Sequence, residues 1–227
     1  MKRLIVILAC LMAAACTTTS TRLAAVVTPP PAGTTILLVK PDIQLSLLTA
    51  AGLQEPRADW TAQGVENIDT QLRQSLATGS HTFKAVDPED AMGGRTGQMM
   101  RLHEAVGNSI LVFDYAGLKL PTKAEGFDWT IGEGAQALGQ TYGADYALFV
   151  YGRGTYASAG RVATMVVASL IGAAVPLGSQ QVFASLVDLR TGQVVWFNVA
   201  VAGPQADMRN PEGAQSLVTS LLKDAPL

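Results

Sequence analysis

Short apolar runs alternate along the chain with stretches in which apolar residues recur every three or four positions. The run Thr35–Val39 is nearly all apolar and lies between Gly33 and Pro41, which predicts a strand covered on both faces. A second strand is predicted at Thr82–Val86, before an Asp-Pro pair, and a third at residues 145–151. The third run also carries apolar residues on both faces, as central strands of helix-covered sheets do.

Helical spacing dominates four other stretches, namely residues 59–77, 99–117, 130–143 and the region that begins at Asn210-Pro211. Gly79 follows the first stretch, Gly143 ends the third, and Pro211 suits the first position of the last helix. Residues 110–113 could instead form a strand, but the apolar period runs through them and favours a helix. The apolar stripes are Val65, Ile68, Leu72 and Leu76; Met99, Leu102, Val106, Ile110 and Phe113; Ile131, Ala135, Leu138 and Tyr142; and Leu217, Leu221 and Leu222.

Two further apolar runs, at residues 181–189 and 193–201, are joined by Arg190-Thr191-Gly192, which predicts a tight hairpin. Trp196, in the second run, is expected to be a buried anchor on a sheet face. The order of elements is strand, helix, strand, helices, strand, hairpin, helix. This order predicts a single α/β domain over residues 34–227, with a mixed β-sheet and packed helices.

The amino terminus has the pattern of an export signal. A basic Met1-Lys2-Arg3 start, an apolar run from Leu4 and small residues up to Ala15 indicate a signal peptide over residues 1–15. A cysteine directly after the small residues resembles the lipobox of bacterial lipoproteins, which implies that Cys16 becomes the acylated first residue. The alternatives are Cys10, which too short an apolar run precedes, and a plain signal peptide cut near Ala15.

Residues 16–33 are predicted to be a lipidated tether. The stretch opens with threonines and serine and closes with a proline triplet, which favours an extended spacer. Thr17 follows the cysteine where an aspartate would be expected for inner-membrane retention, so the resemblance implies the inner leaflet of the outer membrane, facing the periplasm.

Composition narrows the choice of partners. The chain has 16 Lys+Arg and 18 Asp+Glu, and removal of Lys2 and Arg3 with the signal leaves 14 against 18. This mild negative balance argues against nucleic acid as a partner. Both cysteines precede the mature body, so we expect neither a disulfide nor a thiolate metal site there. No metal or cofactor is expected, and His81 and His103 are interpreted as surface or packing residues.

A family resemblance lies in the carboxyl half. The segment Gly143-Ala144-Asp145-Tyr146, followed after an insertion by Asp188-Leu189-Arg190-Thr191-Gly192 and Trp196, resembles periplasmic lipoproteins of the curli-secretion and penicillin-binding-protein-activator type. These residues are mainly structural, so the resemblance implies the fold more than the function.

The insertion at residues 160–178 is the segment most suggestive of function, since residues 162–178 carry no charge. It does not alternate as a membrane-barrel hairpin would, and its length before Pro176 is too short for a spanning helix. Gly160, Thr164, Ala168 and Gly172 fall four apart and predict a helix with a ridge of small residues. This helix either covers the protein's own sheet, which is preferred, or contacts another subunit or the membrane.

A loop over residues 118–129 is the second candidate contact. It ends in Phe127 and Trp129, which would bind a partner if exposed, or else pack ahead of the following helix.

The leading functional hypothesis is therefore a non-enzymatic lipoprotein that acts as an adaptor or assembly factor in the cell envelope, with an envelope protein as partner. The rival is a membrane-inserting homo-oligomer similar to the curli-secretion channel. An envelope hydrolase is the third class, and the chain contains no G-x-S-x-G motif that would support it.

Overall fold

An eight-stranded mixed sheet forms the centre of the molecule, and helices cover both of its faces. The computed structural model describes residues 17–24, 29–91, 93–118, 120–123, 126–203 and 206–227. The strands are β1 (Thr18–Leu23), β2 (Thr35–Val39), β3 (Asp42–Leu48), β4 (Gln54–Pro56), β5 (Thr82–Val86), β6 (Tyr146–Ala157), β7 (Gly178–Asp188) and β8 (Val194–Ala202). The α-helices are α1 (Ala58–Leu76), α2 (Gly94–Ile110), α3 (Gln136–Tyr142), α4 (Ala159–Ser169) and α5 (Pro211–Leu221).

The long strand β6 organises the sheet. Its first half pairs in parallel with β2, its second half pairs in parallel with β3, and its other edge pairs antiparallel with β7. Strand β5 lies outside β2, β4 lies outside β3, and β8 and β1 continue the antiparallel side. The predicted α/β class, with one domain and a mixed sheet, is confirmed.

The two faces of the sheet hold separate cores. Helices α1 and α5 cover one face, where Ile68, Leu72 and Leu217 pack on the sheet. Helices α2 and α3 cover the other face. Trp196 and Phe197 are both fully buried but belong to opposite cores, because successive side chains of a strand point to opposite faces. The prediction that Trp196 is a buried anchor is confirmed.

Local sequence signals account for the carboxyl half. The hairpin turn between β7 and β8 is held by Asp188, whose Oδ1 accepts the backbone N–H of Arg190 at 2.8 Å. The side chain of Asn210 caps α5 by accepting the N–H of Gly213 at 2.7 Å, with Pro211 at the first helical position. Both the hairpin and the last helix lie where the sequence predicts them.

The strand alternative for residues 110–113 is wrong. Helix α2 extends to Ile110 and continues into one π-helical turn at Leu111–Tyr115. The chain therefore stays helical through residues 110–113, as the apolar period predicts. Tyr115, at the end of this turn, reaches β1, and its hydroxyl donates to the carbonyl oxygen of Ser20 at 2.9 Å.

The amino-terminal spacer is shorter than the sequence predicts. Residues 18–23 lie inside the predicted tether, yet they form β1 and pair in register with β8 over six residues, from Thr18 opposite Val201 to Leu23 opposite Trp196. Without β1, the outer edge of β8 would leave a row of backbone groups unpaired, and threonine-rich segments suit extended edge strands. The folded body therefore begins at Thr18, two residues after Cys16, which itself lies outside the described residues.

Candidate functional site

A cleft of about 970 Å³ opens on the edge of β6 where β2 ends and β3 begins. Pro41 lies between the two strands, and because proline has no N–H it interrupts the ladder. Pairing to β6 therefore stops at Leu38 opposite Leu148 and resumes at Asp42 opposite Tyr151. Helices α1 and α2, from opposite faces of the sheet, form the two walls of this gap.

The cleft combines an apolar floor with a charged rim. Open α/β sheets commonly bind ligands at the carboxyl ends of their strands, and both β2 and β5 end here. Six acidic and two basic residues line the cleft. The floor includes Val39, Ile43, Val65, Met100 and Tyr151; the acidic residues are Asp42, Glu66, Asp69, Asp87, Glu89 and Glu104; the basic residues are Lys40 and Arg101.

Several rim carboxylates already have partners. Lys40 Nζ lies 2.6 Å from Asp87 Oδ2, and this hydrogen bond lowers the pKa of Asp87 below its ordinary value. Arg153 bridges Asp42 and Glu104, at 3.2 and 3.5 Å. Glu66 stands on the exposed face of α1. The rim therefore keeps its shape through ion pairs while its overall charge stays negative.

His103 lies behind the cleft wall and is almost fully buried. Its Nε2 is 2.6 Å from Ser185 Oγ, its Nδ1 is 3.4 Å from Tyr151 Oη, and its ring stacks on Phe149. Burial lowers the pKa of His103 to about 3, so the ring is neutral at ordinary pH. The interpretation as a packing histidine is confirmed.

The Ser185–His103 contact has the spacing of a nucleophile and its base. Both side chains, however, are closed off from solvent, with exposed fractions of 0% and 1%. The second ring nitrogen faces the Tyr151 hydroxyl, where a carboxylate would orient the ring in a catalytic triad. The pair therefore joins α2 to the sheet and has no path to a substrate.

The segment of residues 159–177, which we call the α4 segment, projects from the end of the sheet between β6 and β7. Helix α4 has no buried residue. Large apolar side chains of the α4 segment are instead exposed, to 66% at Val167 in the helix and to 81% at Leu170 and 85% at Ile171 in the turn that follows it. The preferred expectation, that this helix covers the protein's own sheet, is wrong, because the core below is already complete without it.

Only part of the predicted ridge is helical. Gly160, Thr164 and Ala168 share one side of α4, but the helix ends at Ser169, and Gly172 follows in a left-handed turn with φ of 75°. A Cβ added to Gly160 would come within 3.2 Å of the Ala50 side chain. The base of the ridge therefore packs on the turn between β3 and β4.

Arg161, the charged residue next to the uncharged stretch, points back to the body. Its Nε donates to the carbonyl oxygen of Pro176 at 3.0 Å, and its Nη1 lies 3.5 Å from the carbonyl oxygen of Ala50. These contacts fasten the start of α4 to the end of the α4 segment. The outward surface of the segment is left apolar and uncharged.

The second predicted contact is corrected. Phe127 and Trp129 are buried, at 6% and 7% exposure, and belong to the core under α2 and α3. Trp129 stacks on Phe113, and its indole N–H donates to a carboxylate oxygen of Asp114. The two aromatic side chains close the core beside the π-helical turn and offer no surface to a partner.

Within the ranges described, no helix is both long and apolar enough to cross a membrane. The same ranges contain no group of three or more His, Cys, Asp or Glu side chains placed to hold a metal ion. The predicted signal peptide and the predicted lipidation site at Cys16 lie outside these ranges.

Neither protein-family profiles nor curated proteins match the chain. Among solved structures, it is similar to the PelC dodecamer from Paraburkholderia phytofirmans, with 15% identity and a TM-score of 0.40 over 93% of this chain and 96% of that one. It is also similar to lipoprotein GNA1162 from Neisseria meningitidis, with 13% identity, a TM-score of 0.36 and coverage of 84% and 96%. The LpoB C-terminal domain from Salmonella enterica has 15% identity, a TM-score of 0.29 and coverage of 79% and 87%. Bacterial lipoproteins are thus among the structural neighbours, at similarities too low to carry a functional argument.

Proposed function

We propose that this protein is a lipid-anchored, non-enzymatic adaptor or assembly factor of the bacterial envelope. Cys16 would be acylated and hold the body at the inner leaflet of the outer membrane, facing the periplasm. The lipobox-like sequence supports the anchor, and β1 supports a body that lies close to it.

One observation carries the adaptor role, namely the open cleft between α1 and α2. Its floor is apolar and its lining has six carboxylates against two basic groups. An extended partner segment with apolar and basic side chains complements such a surface in both shape and charge. The His103–Ser185 contact, which has the spacing of a nucleophile and its base, is buried behind the wall, and this supports binding rather than catalysis as the use of the cleft.

A crosslinking experiment in intact cells tests this function. A photoreactive amino acid is placed at Glu66 in the cleft or, as a matched control, at Glu133, which is exposed and does not line the cleft. We expect a discrete adduct with one envelope protein from the cleft position, through a peptide that carries Lys or Arg beside apolar residues. The adduct should disappear when Glu104 is changed to Lys.

Two results would contradict the adaptor role. Equal crosslinking at Glu66 and Glu133 would show that the cleft does not bind a partner in preference to the rest of the surface. An adduct of twice the mass of the chain would instead support the rival hypothesis, a homo-oligomer.

The lipid anchor is tested separately, by labelling cells with an alkyne analogue of palmitate. The label should mark the wild-type protein and leave Cys16→Ser unmarked.

A further inference from the structure

The register of the sheet relates the amino terminus to the α4 segment. Thr18 lies opposite Val201 of β8, Val201 lies opposite Gln181 of β7, and Gln181 lies opposite Arg153 of β6. From Arg153, β6 runs four more residues to its end and turns into α4. The start of β1 and the root of the α4 segment therefore lie at the same end of the sheet.

The distance between the amino terminus and the α4 segment follows from this register and the usual spacing of strands. Adjacent strands lie about 4.8 Å apart, so β1 and β6 are separated by roughly 14 Å across β8 and β7. Two residues of extended chain reach at most about 7 Å, which limits the separation of Cys16 from Thr18. A lipid on Cys16 would therefore enter the membrane beside the α4 segment and could not hold the body far from it.

Exposed apolar side chains concentrate at this same end of the molecule. In the part of the chain that is described, twelve large apolar side chains are exposed, and eight of them lie at or near this end. We call these eight residues the apolar end: Leu53, Val162, Val166, Val167, Leu170, Ile171, Leu177 and Val201. A soluble surface would scatter such residues, whereas an apolar cluster marks an interface.

Two arginines near this end have partners within the protein. Arg161 is bound to backbone carbonyl groups, and Arg209 pairs with Asp207 at 2.7 Å while it stacks on the Tyr156 ring. Helix α4 has 11 residues and is about 16 Å long, far short of the ~30 Å hydrocarbon core. A short helix with an exposed apolar side can lie in the membrane interface, where it buries that side by about 5–10 Å.

We propose that the apolar end rests on the membrane that holds the lipidated amino terminus, with α4 lying in the lipid interface. The proposal rests on the proposed acylation of Cys16, and it names phospholipid as the partner of the α4 segment. A single acyl chain anchors a protein weakly, and a second apolar contact strengthens the hold. The cleft at Tyr151 lies six residues of β6 below this end, roughly 20 Å from the membrane, where a periplasmic partner can reach it.

The test uses the full-length lipidated protein in vesicles of phosphatidylethanolamine and phosphatidylglycerol. The mature body has no cysteine other than Cys16, so Leu170→Cys can be labelled uniquely with an environment-sensitive fluorophore. Ser216→Cys, exposed on α5 outside the apolar end, is the matched control. We expect a blue shift at Leu170 and at least threefold stronger quenching by spin-labelled lipid than at Ser216.

The remaining outcomes separate the proposals. Equal quenching at both sites, with the protein still floating on vesicles, would overturn the membrane contact and leave the lipid anchor intact. Failure to float together with absent palmitate labelling would overturn the anchor itself. A blue shift without lipid quenching, with a doubled mass in sedimentation, would assign the apolar end to a second copy and also overturn the membrane contact.

Discussion

Thr18 lies directly opposite Val201 at the edge of the sheet. This pairing joins the first strand of the body to the strand that ends beside the α4 segment. Residues 18–23, which the sequence predicts to be part of a spacer, therefore belong to the sheet. The proposed anchor at Cys16 is then only two residues from the first strand.

The pairing of β1 with β8 can be measured by amide hydrogen exchange. Amides of Thr18–Leu23 that bond to β8 are expected to be protected, whereas a free spacer would exchange at the rate of an unfolded chain. Tyr115→Phe removes the hydrogen bond to the Ser20 carbonyl and should loosen β1 while protection in β6 and β7 stays unchanged. Exchange without protection throughout residues 18–23 would refute this strand.

Replacement of Trp196 by Ala should lower the free energy of unfolding by about 3–5 kcal/mol, since it removes a fully buried aromatic side chain from the core. Val201→Ala, at an exposed position of the same strand, is the control and should change it by less than about 1 kcal/mol. Urea unfolding of the two variants measures the difference. Equal stability of both variants would contradict the placement of β8.

Stability should depend on pH through His103. Because burial lowers the pKa of His103 from 6.5 to about 3, the unfolded chain binds more protons than the folded one between these values. The stabilising contribution is therefore present above pH ~6.5 and is lost as pH falls, by about 1.4 kcal/mol per pH unit. Urea unfolding at pH 7.5 and pH 5 should differ by about 2 kcal/mol. In His103→Gln this difference should largely vanish, and an unchanged slope would show that other groups cause it.

Gly213 marks a close backbone approach at the start of α5. A Cβ at this position would lie 2.2 Å from the Asp207 carbonyl oxygen, so Gly213→Ala must displace the loop before the helix. We expect a loss of about 1–3 kcal/mol of stability. Gly93→Ala, where a Cβ would meet open space, is the control. A melting temperature that is equally affected in both variants would argue against the docking of α5 at this loop.

Much of the fold could be read from the sequence because local signals and burial agree. The hairpin around Thr191, the cap at Asn210 and the apolar stripe of α1 each predict elements that the structure contains. Strand β1 could not be predicted, because a threonine-rich segment is stabilised only when the edge of β8 is present to pair with it. Strand β3 was not predicted either, although Ile43 and Leu45 alternate with polar residues as in a strand with one buried face. This alternation is too short to stand out in the sequence.

The site was harder to predict, because it depends on contacts between distant segments. The cleft joins Val39, Glu66 and Glu104, and their sequence separation gives no local signal. The charge-free insertion was recognisable, but hydrophobicity alone favoured a buried helix. The exposure of Leu170 follows from the rest of the sheet, whose two faces are already covered by α1, α5, α2 and α3.

We propose above that the α4 segment meets lipid beside an acylated amino terminus. The most direct measurement places a diazirine-bearing amino acid at Leu170 in living cells, with irradiation followed by mass spectrometry of the α4 peptide. We expect the peptide to gain the mass of a phospholipid and this adduct to be lost in Cys16→Ser. An adduct with protein alone, in cells where Cys16 is acylated, would contradict the proposal.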